Sequence, residues 1–353
     1  MRILIPGGAG FVGSNLARSF KEMDTSIDVV VLDNLKRRGS ELNLPEFKKR
    51  SIPFFHGDVR QPSDLEDLPG QFDLVIDASA EPSVLAGIHE SPNYVLDTNL
   101  KGTLHCLEFA RKRAGAFLFL STSRVYSIEP LKKIQLRETE TRFEIADQNN
   151  TPGFSTQGVD EAFPTHLPRS FYGASKLSSE MLAQEYADTY KLPVIINRCG
   201  VISGPGQFGK VDQGVFSMWV FNHLFGKPLK YQGFGGNGKQ VRDLLHPADL
   251  FSLIRKEIDK TETWKGQIFN IGGGRDTSLS LMELTQLCQE LTGKEVPITK
   301  NMETAHVDIP LYISNSTKAK EVLGWEPKIR AKQIILEILA WAEQNRKQLE
   351  LLL

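Results

Sequence analysis

The sequence predicts an α/β fold: a doubly wound parallel sheet with a smaller C-terminal α/β domain. Three observations predict it. Seven short apolar runs rich in β-branched residues recur along the chain, helical patterns lie between them, and a glycine-rich turn follows the first run directly. Continuous apolar strands alternating with helices mark a parallel sheet covered on both faces.

The first run, MRILIPG (1–7), leads into GGAGFVG, which carries Gly7, Gly8, Gly10 and Gly13. A pyrophosphate needs a tight turn, a backbone it can approach, and a helix amino end whose N–H groups face the negative charge. Gly7, Gly10, Phe11, Val12 and Gly13 are therefore assigned to a dinucleotide. The second run, IDVVVLD (27–33), ends in Asp33, 20 positions past Gly13. A carboxylate there accepts from both ribose hydroxyls and repels a 2'-phosphate, so the expected cofactor is NAD. Asn34 is assigned with it, while Lys36, Arg37 and Arg38 follow closely and oppose that exclusion in part. The third run, PFFHGD (53–58), sets Asp58 and Val59 beside the adenine. The fourth, DLVIDAS (73–79), brings Ala78, Ser79 and Ala80 to the pyrophosphate and ribose path. Ser91 and Pro92 read as cap and first-turn proline of a long helix through NYVLDTNLKGTLHCLEFARK. AFLFLST (116–122), LPVIINRC (192–199) and QIFNIG (267–272) complete the runs, and Ser280 with Glu283 forms a capping box.

Beyond residue 200 the rhythm changes. Glycine and glutamine become frequent in SGPGQFGKVDQG and YQGFGGNGKQ, and strands thin out. The expected division is a dinucleotide domain over 1–202, rejoined by about 240–275, and a substrate domain made of 203–239 and 276–353, with binding loops facing the cleft between them. The stretch from Ile128 to Arg169 is the least patterned and reads as an active-site loop or an insert.

Composition narrows the function classes. The formal net charge is -1, which gives no overall electrostatic case for nucleic acid or anionic lipid. No uncharged run approaches a membrane span, and the opening strand leaves no room for a secretion signal. Cys106, Cys199 and Cys288 are odd in number and far apart, as expected of buried reduced thiols in a cytoplasmic protein. The seven histidines show no metal-binding spacing, so no metal is expected.

The chemistry is carried by FYGASK, in which Tyr172 stands four residues before Lys176 on an expected helix with apolar positions at Leu177, Met181, Leu182 and Tyr186. Residues four apart share a helix face, which puts an ammonium beside a phenol. A free phenol ionises near pH 10, and bringing it to about 7 takes roughly 4 kcal/mol of differential interaction, which a close cation supplies.

A dinucleotide fold with Tyr-x-x-x-Lys after the fifth strand resembles the extended short-chain dehydrogenase/reductase family, and the likeness spans nearly the whole chain. It implies a Rossmann domain in which Tyr172 exchanges a proton with a sugar hydroxyl, Lys176 holds the nicotinamide ribose, and Thr122, in STSRVY, donates to the same oxygen. The family's 4,6-dehydratases place Asp-Glu directly after the threonine; here Ser123 and Arg124 stand there, which suits an epimerase and brings both to the substrate. DNLKRRGSELNL, RETETRF, GQFGKVDQG and GNGKQVRDLLH resemble the branch of CDP-paratose 2-epimerases (CDP-tyvelose epimerases). That likeness implies transient oxidation at sugar carbon 2 of a nucleotide sugar, with CDP favoured and GDP or UDP open. It gives Arg242 to the substrate phosphates and Gln207, Phe208, Asp212 and Gln213 to the pocket. A homodimer is expected by analogy. Pro6, Val201 and Pro310 stand where relatives carry a threonine, an asparagine and a diphosphate-binding arginine. The rival expectations are a UDP-sugar 4-epimerase and a non-catalytic nucleotide- or RNA-binding member of the fold.

Overall fold

A computed structural model describes residues 1–146, 149, 151–209 and 213–352. The seven apolar runs form the strands of one sheet: β1 (Arg2–Pro6), β2 (Asp28–Asp33), β3 (Phe54–His56), β4 (Leu74–Asp77), β5 (Phe117–Thr122), β6 (Val194–Cys199) and β7 (Gln267–Ile271). Their spatial order is β7-β6-β5-β4-β1-β2-β3. The pairs β1–β2, β1–β4, β2–β3 and β4–β5 run parallel. The order reverses between β1 and β4, so the loops after those strands diverge and leave a crevice at their carboxyl ends. Every residue of β4, β5 and β6 is buried, as a sheet covered on both faces requires.

Two compact units make up the chain. The first comprises Met1–Val125, Ser170–Arg198 and Leu250–Phe269, and the second Tyr126–Arg169, Cys199–Asp249 and Asn270–Leu353. The core of the first packs Leu4, Val30, Val75, Phe117 and Ile196 of the sheet against Leu107 and Ala110 and against Ala183 and Tyr186 of flanking helices. In the second, the helices Val215–Phe225, Leu281–Thr292 and Ala331–Gln344 close around Trp219, Phe221, Leu284 and Ile338. The strand Val241–Leu245 of this unit runs antiparallel to Ser278–Ser280 and parallel to Val201–Ile202 and Leu311–Tyr312.

Residues 126–169, grouped with the dinucleotide domain on sequence, fall in the second unit. The reason is backbone pairing. Val159 donates to Ile313 O, Asn315 donates to Val159 O, and Phe143 donates to Lys239 O. The long helix read from Pro92 onward is interrupted as well: it starts at Asn93, with Pro92 one residue ahead of it, and passes through one π-helical turn at Asp97–Lys101 before resuming as Gly102–Arg113. The capping box forms, Ser280 Oγ accepting from Glu283 N and the Glu283 carboxylate from Ser280 N. All three cysteines are buried and unlinked. Among the described residues, no helix is long and apolar enough to cross a membrane.

Candidate active site

The glycine turn after β1 is built without room for side chains. Gly7 has φ +71°, and a Cβ there would stand 2.6–2.7 Å from the backbone of Ala78 and Ser79; one at Gly13 would meet Gly7 O at 2.4 Å. The turn hangs from β2, with Gly7 N donating to Leu32 O at 2.9 Å. It delivers the chain to the helix Phe11–Met23, whose N-cap, Gly10, offers no side-chain acceptor and whose first turn holds no acidic residue. The first N–H groups of that helix, at Phe11, Val12 and Gly13, have no intrahelical partner. Free N–H groups and the helix dipole together favour negative charge at such an end.

Asp33 closes the other side. Its Oδ2 accepts from Ala9 N at 3.0 Å and its Oδ1 from Leu35 N at 2.8 Å. Burial pushes its carboxyl above the ordinary carboxylate range, although both N–H bonds oppose that. An ionised carboxylate has about four acceptor positions, so two bonds leave capacity for a pair of ribose hydroxyls. Asn34 Nδ2 donates to Asp58 Oδ2 at 2.9 Å and joins the ends of β2 and β3. Burial pushes Asp58 up as well, but hydrogen bonds from Arg60 and Asn34 outweigh it and hold the carboxyl at about 2. Val59 is buried, and its carbonyl meets His105 Nδ1 at 2.7 Å. After β4, Ser79 donates from both N and Oγ to Asp77 Oδ1, while Thr103 Oγ1 holds Oδ2 at 2.9 Å. Ala78 and Ala80 flank that knot half-buried, and Ala78 N is fixed by Pro6 O.

Tyr172 and Lys176 stand in the first two turns of the helix Phe171–Tyr190, which Ser170 caps by accepting from Gly173 N. Lys176 is only 2% exposed, and its Nζ lies 4.0 Å from the centroid of the Phe119 ring on β5. Burying an ammonium so fully is costly unless it is partnered. Tyr172 is half-buried. Thr122, at the end of β5, is buried and accepts from Arg124 N at 3.2 Å; Ser123 is buried beside it and Arg124 half-buried. The helix face turned inward is not the one read from the sequence. Met181 is 61% exposed and Leu177 and Leu182 are half-buried, while Gly173, Ser175, Lys176, Ser179, Glu180 and Ala183 go inside with Tyr186.

Two networks that place this helix were missed on sequence. Asn99, fully buried in the π-helical turn, donates to Glu81 O at 3.0 Å and to Ser175 Oγ at 3.2 Å, and accepts from Glu81 N at 2.7 Å; Ser179 Oγ donates to its carbonyl. Glu180 pairs with Arg198 of β6, Nη2 to Oε2 at 2.7 Å and Nε to both oxygens at 3.1 Å, and accepts from Ser121 Oγ.

Of the residues expected to hold substrate, Ser123 and Arg124 lie in the first unit, and Gln207, Phe208, Gln213 and Arg242 in the second. Arg242 donates to Val241 O at 2.7 Å and Ile309 O at 2.8 Å, with Asp308 Oδ1 at 4.0 Å. Gln207 is bonded on both ends of its amide, to Ile202 O of the strand Val201–Ile202 and Ser217 Oγ of the helix Val215–Phe225. Phe208 packs edge-on against Trp341. Gln213 has a buried Oε1 that meets no donor among the described residues. Asp212 lies outside the described residues. Pro310, where an arginine was expected, supplies the carbonyl that accepts from Val241 N. Among the described residues, no group of three or more metal-binding side chains is gathered.

The sequence profile of the NAD dependent epimerase/dehydratase family matches residues 3–272. The chain belongs to that family. The chain is similar to a protein of Salmonella typhi named CDP-paratose 2-epimerase, 32% identical over 355 residues, with 97% of this chain and 99% of the relative covered. The fold matches that of dTDP-glucose 4,6-dehydratase from Bacillus anthracis, solved in complex with NAD, at a TM-score of 0.74 and 27% identity, covering 98% of each chain. It also matches UDP-glucose 4-epimerase of Thermotoga maritima, solved with UDP-glucose, at a TM-score of 0.75 and 27% identity, covering 99% of this chain and all of the other. The protein is an NAD-dependent enzyme of the nucleotide-sugar epimerase and dehydratase group, and its cradle of glycines, helix amino end and Asp33 fits the dinucleotide.

Proposed function

We propose that this epimerase inverts carbon 2 of a CDP-hexose through a transient keto intermediate. The observation that carries the reading is Ser123 and Arg124 directly after Thr122 at the end of β5. Dehydration of a nucleotide sugar must protonate a leaving hydroxyl and remove a carbon-bound proton, and neither side chain is a carboxylic acid. Oxidation and reduction at one carbon need a single group to take a hydroxyl proton and return it. Tyr172 is assigned that proton, Thr122 a hydrogen bond to the same oxygen, and Lys176 the ammonium that favours the phenolate and orients the nicotinamide ribose. Asp33 holds the adenosine ribose, with Asn34, Asp58 and Val59 around the adenine. Phe11, Val12, Gly7, Gly10 and Gly13 hold the pyrophosphate, and Ala78, Ser79 and Ala80 line its path. Bound NAD supplies the reversible hydride acceptor that such a turnover requires.

Arg242 takes the substrate diphosphate by bidentate pairing, and Ser123, Arg124, Gln207, Phe208, Asp212 and Gln213 shape the sugar and carrier site. The Salmonella relative, covered almost end to end, supports CDP as carrier. Exposed Phe171, Met181 and Tyr190 on the helix Phe171–Tyr190 support pairing of two copies, and three unlinked cysteines support a reducing, cytoplasmic setting.

The test is incubation of the purified protein with CDP-, GDP- and UDP-hexoses and NMR analysis of the products. Inversion at carbon 2 of a CDP-hexose is expected. Inversion at carbon 4 of a UDP-hexose, or loss of water from carbons 5 and 6, would overturn the reading.

A further inference from the structure

Two of the sequence blocks singled out above, RETETRF (137–143) and GNGKQVRDLLH (236–246), are about a hundred residues apart and hydrogen-bonded to each other. The first forms most of a hairpin, Leu136–Glu138 paired with Phe143–Ile145. Lys239 reaches into it, Nζ donating to Glu138 Oε1 at 2.9 Å and to Thr139 O at 2.7 Å, and Phe143 N donates to Lys239 O at 2.9 Å. The Lys239 side chain is only 15% exposed. The hairpin tip is fastened on a second side. Arg142 Nη2 donates to Ser278 Oγ at 2.5 Å, Thr141 Oγ1 to Glu283 Oε1 at 3.0 Å, and Ser280 Oγ to Thr141 O at 2.7 Å. In the antiparallel ladder Ser278 stands opposite Asp243, and Leu279 opposite Arg242. The hairpin therefore grips both the approach to the Arg242 strand and that strand's neighbour.

The approach needs such a grip. Gly233, Gly235, Gly236 and Gly238 all have positive φ, so the eight residues before Arg242's strand gain little rigidity from their own backbone. A guanidinium fork recognises a diphosphate only when it is held in register, and misplacement by about 1 Å can cost on the order of a hundredfold. We infer that the hairpin 136–145 is a positioning element for the nucleotide diphosphate, and that Lys239 is the positioning residue through which it sets Arg242. Neither Lys239 nor Glu138 has to touch the nucleotide. The inference rests on the reading of Arg242 given above.

The test measures binding of CDP, UDP, GDP and dTDP by calorimetry to wild type, Lys239→Met, Lys239→Arg and Glu138→Gln, together with bound NAD and thermal midpoint. For whichever nucleotide wild type binds, Lys239→Met should weaken binding about tenfold or more, by the value of a charge-assisted bond pair. Glu138→Gln, which leaves the lysine in place, should weaken it about threefold, and Lys239→Arg should restore most of it. Bound NAD should stay at the wild-type level, and the loss in kcat/KM should fall on KM. Wild-type affinity in Lys239→Met overturns the inference while leaving the proposed function standing, as does a parallel fall of NAD content, midpoint and affinity that the arginine variant does not reverse. Selective binding of a nucleotide other than CDP corrects the carrier and still tests the hairpin. Binding of none overturns both.

Discussion

Separating Glu180 from Arg198 isolates what holds the Tyr172 helix against the sheet. Their side chains are 1% and 6% exposed, and the carboxylate also accepts from Ser121 Oγ, next to Thr122. One glutamate thus ties the helix carrying Tyr172 and Lys176 to β5 and β6 together. Replacing Arg198 by Met leaves a carboxylate buried without its cation, and Glu180→Gln leaves a buried guanidinium. Breaking a buried pair from one side costs roughly 3–5 kcal/mol, a large share of a stability that is typically about 5–15 kcal/mol. Removing both, as Glu180→Leu with Arg198→Met, gives up the bond to Ser121 but leaves no stranded charge, so the double variant should lie within about 1–2 kcal/mol of wild type. Urea unfolding followed by circular dichroism measures this. With a slope near 3 kcal/mol/M, each single variant should lose about 1–1.7 M in midpoint and the double about half a molar. Additive losses in the double variant, or single variants within about 0.5 kcal/mol of wild type, would refute the coupling and with it the claim that this pair registers the helix.

Three further outcomes follow from geometry and charge. Gly7→Ala places a Cβ 2.6–2.7 Å from the Ala78–Ser79 backbone at φ +71°, so the purified variant should contain almost no NAD by chromatography of the denatured extract; wild-type content would contradict the cradle. Asp33→Asn removes the charge that excludes a 2'-phosphate, and the ratio of NADP to NAD affinity, read by fluorescence titration, should rise about tenfold or more. Glu257 is buried with its carboxyl pushed up to about 8, mainly by burial, against an ordinary value of 4.5. A raised folded-state pKa makes its contribution to stability greatest below about 4.5 and lost as pH climbs towards 8. Glu257→Gln should therefore gain on wild type through that window, with no gain left at pH 4.5, as thermal midpoints across pH would show.

The seven strands were legible in the sequence because each buried strand is a continuous apolar run, and the residues proposed to hold the cofactor stand at or just after the strand ends. Asp33 and Gly7 stand where that logic puts them. The inner face of the Tyr172 helix was not legible. Leu177 and Met181 obey helical spacing, but Lys176 and Glu180 turn inward because each finds a partner there, Phe119 for the ammonium and Arg198 for the carboxylate. Spacing cannot show a charge pair formed across many residues. The 126–169 segment failed for another reason. Its strands are two or three residues long, too short for a period, and they are held by pairing with Lys239 and Ile313 that only the fold brings near. Gln207 illustrates a third limit, since its amide is taken up by Ile202 of the preceding strand and Ser217 of the following helix.

The most direct test of the central claim, that Tyr172 handles a hydroxyl proton while the carbon-bound hydrogen is kept through the cofactor, is turnover in heavy water. Mass and NMR analysis of the product should find no deuterium on the inverted carbon. Stoichiometric deuterium at that carbon would mean inversion by deprotonation, and the roles given to Tyr172, Lys176 and NAD would be wrong.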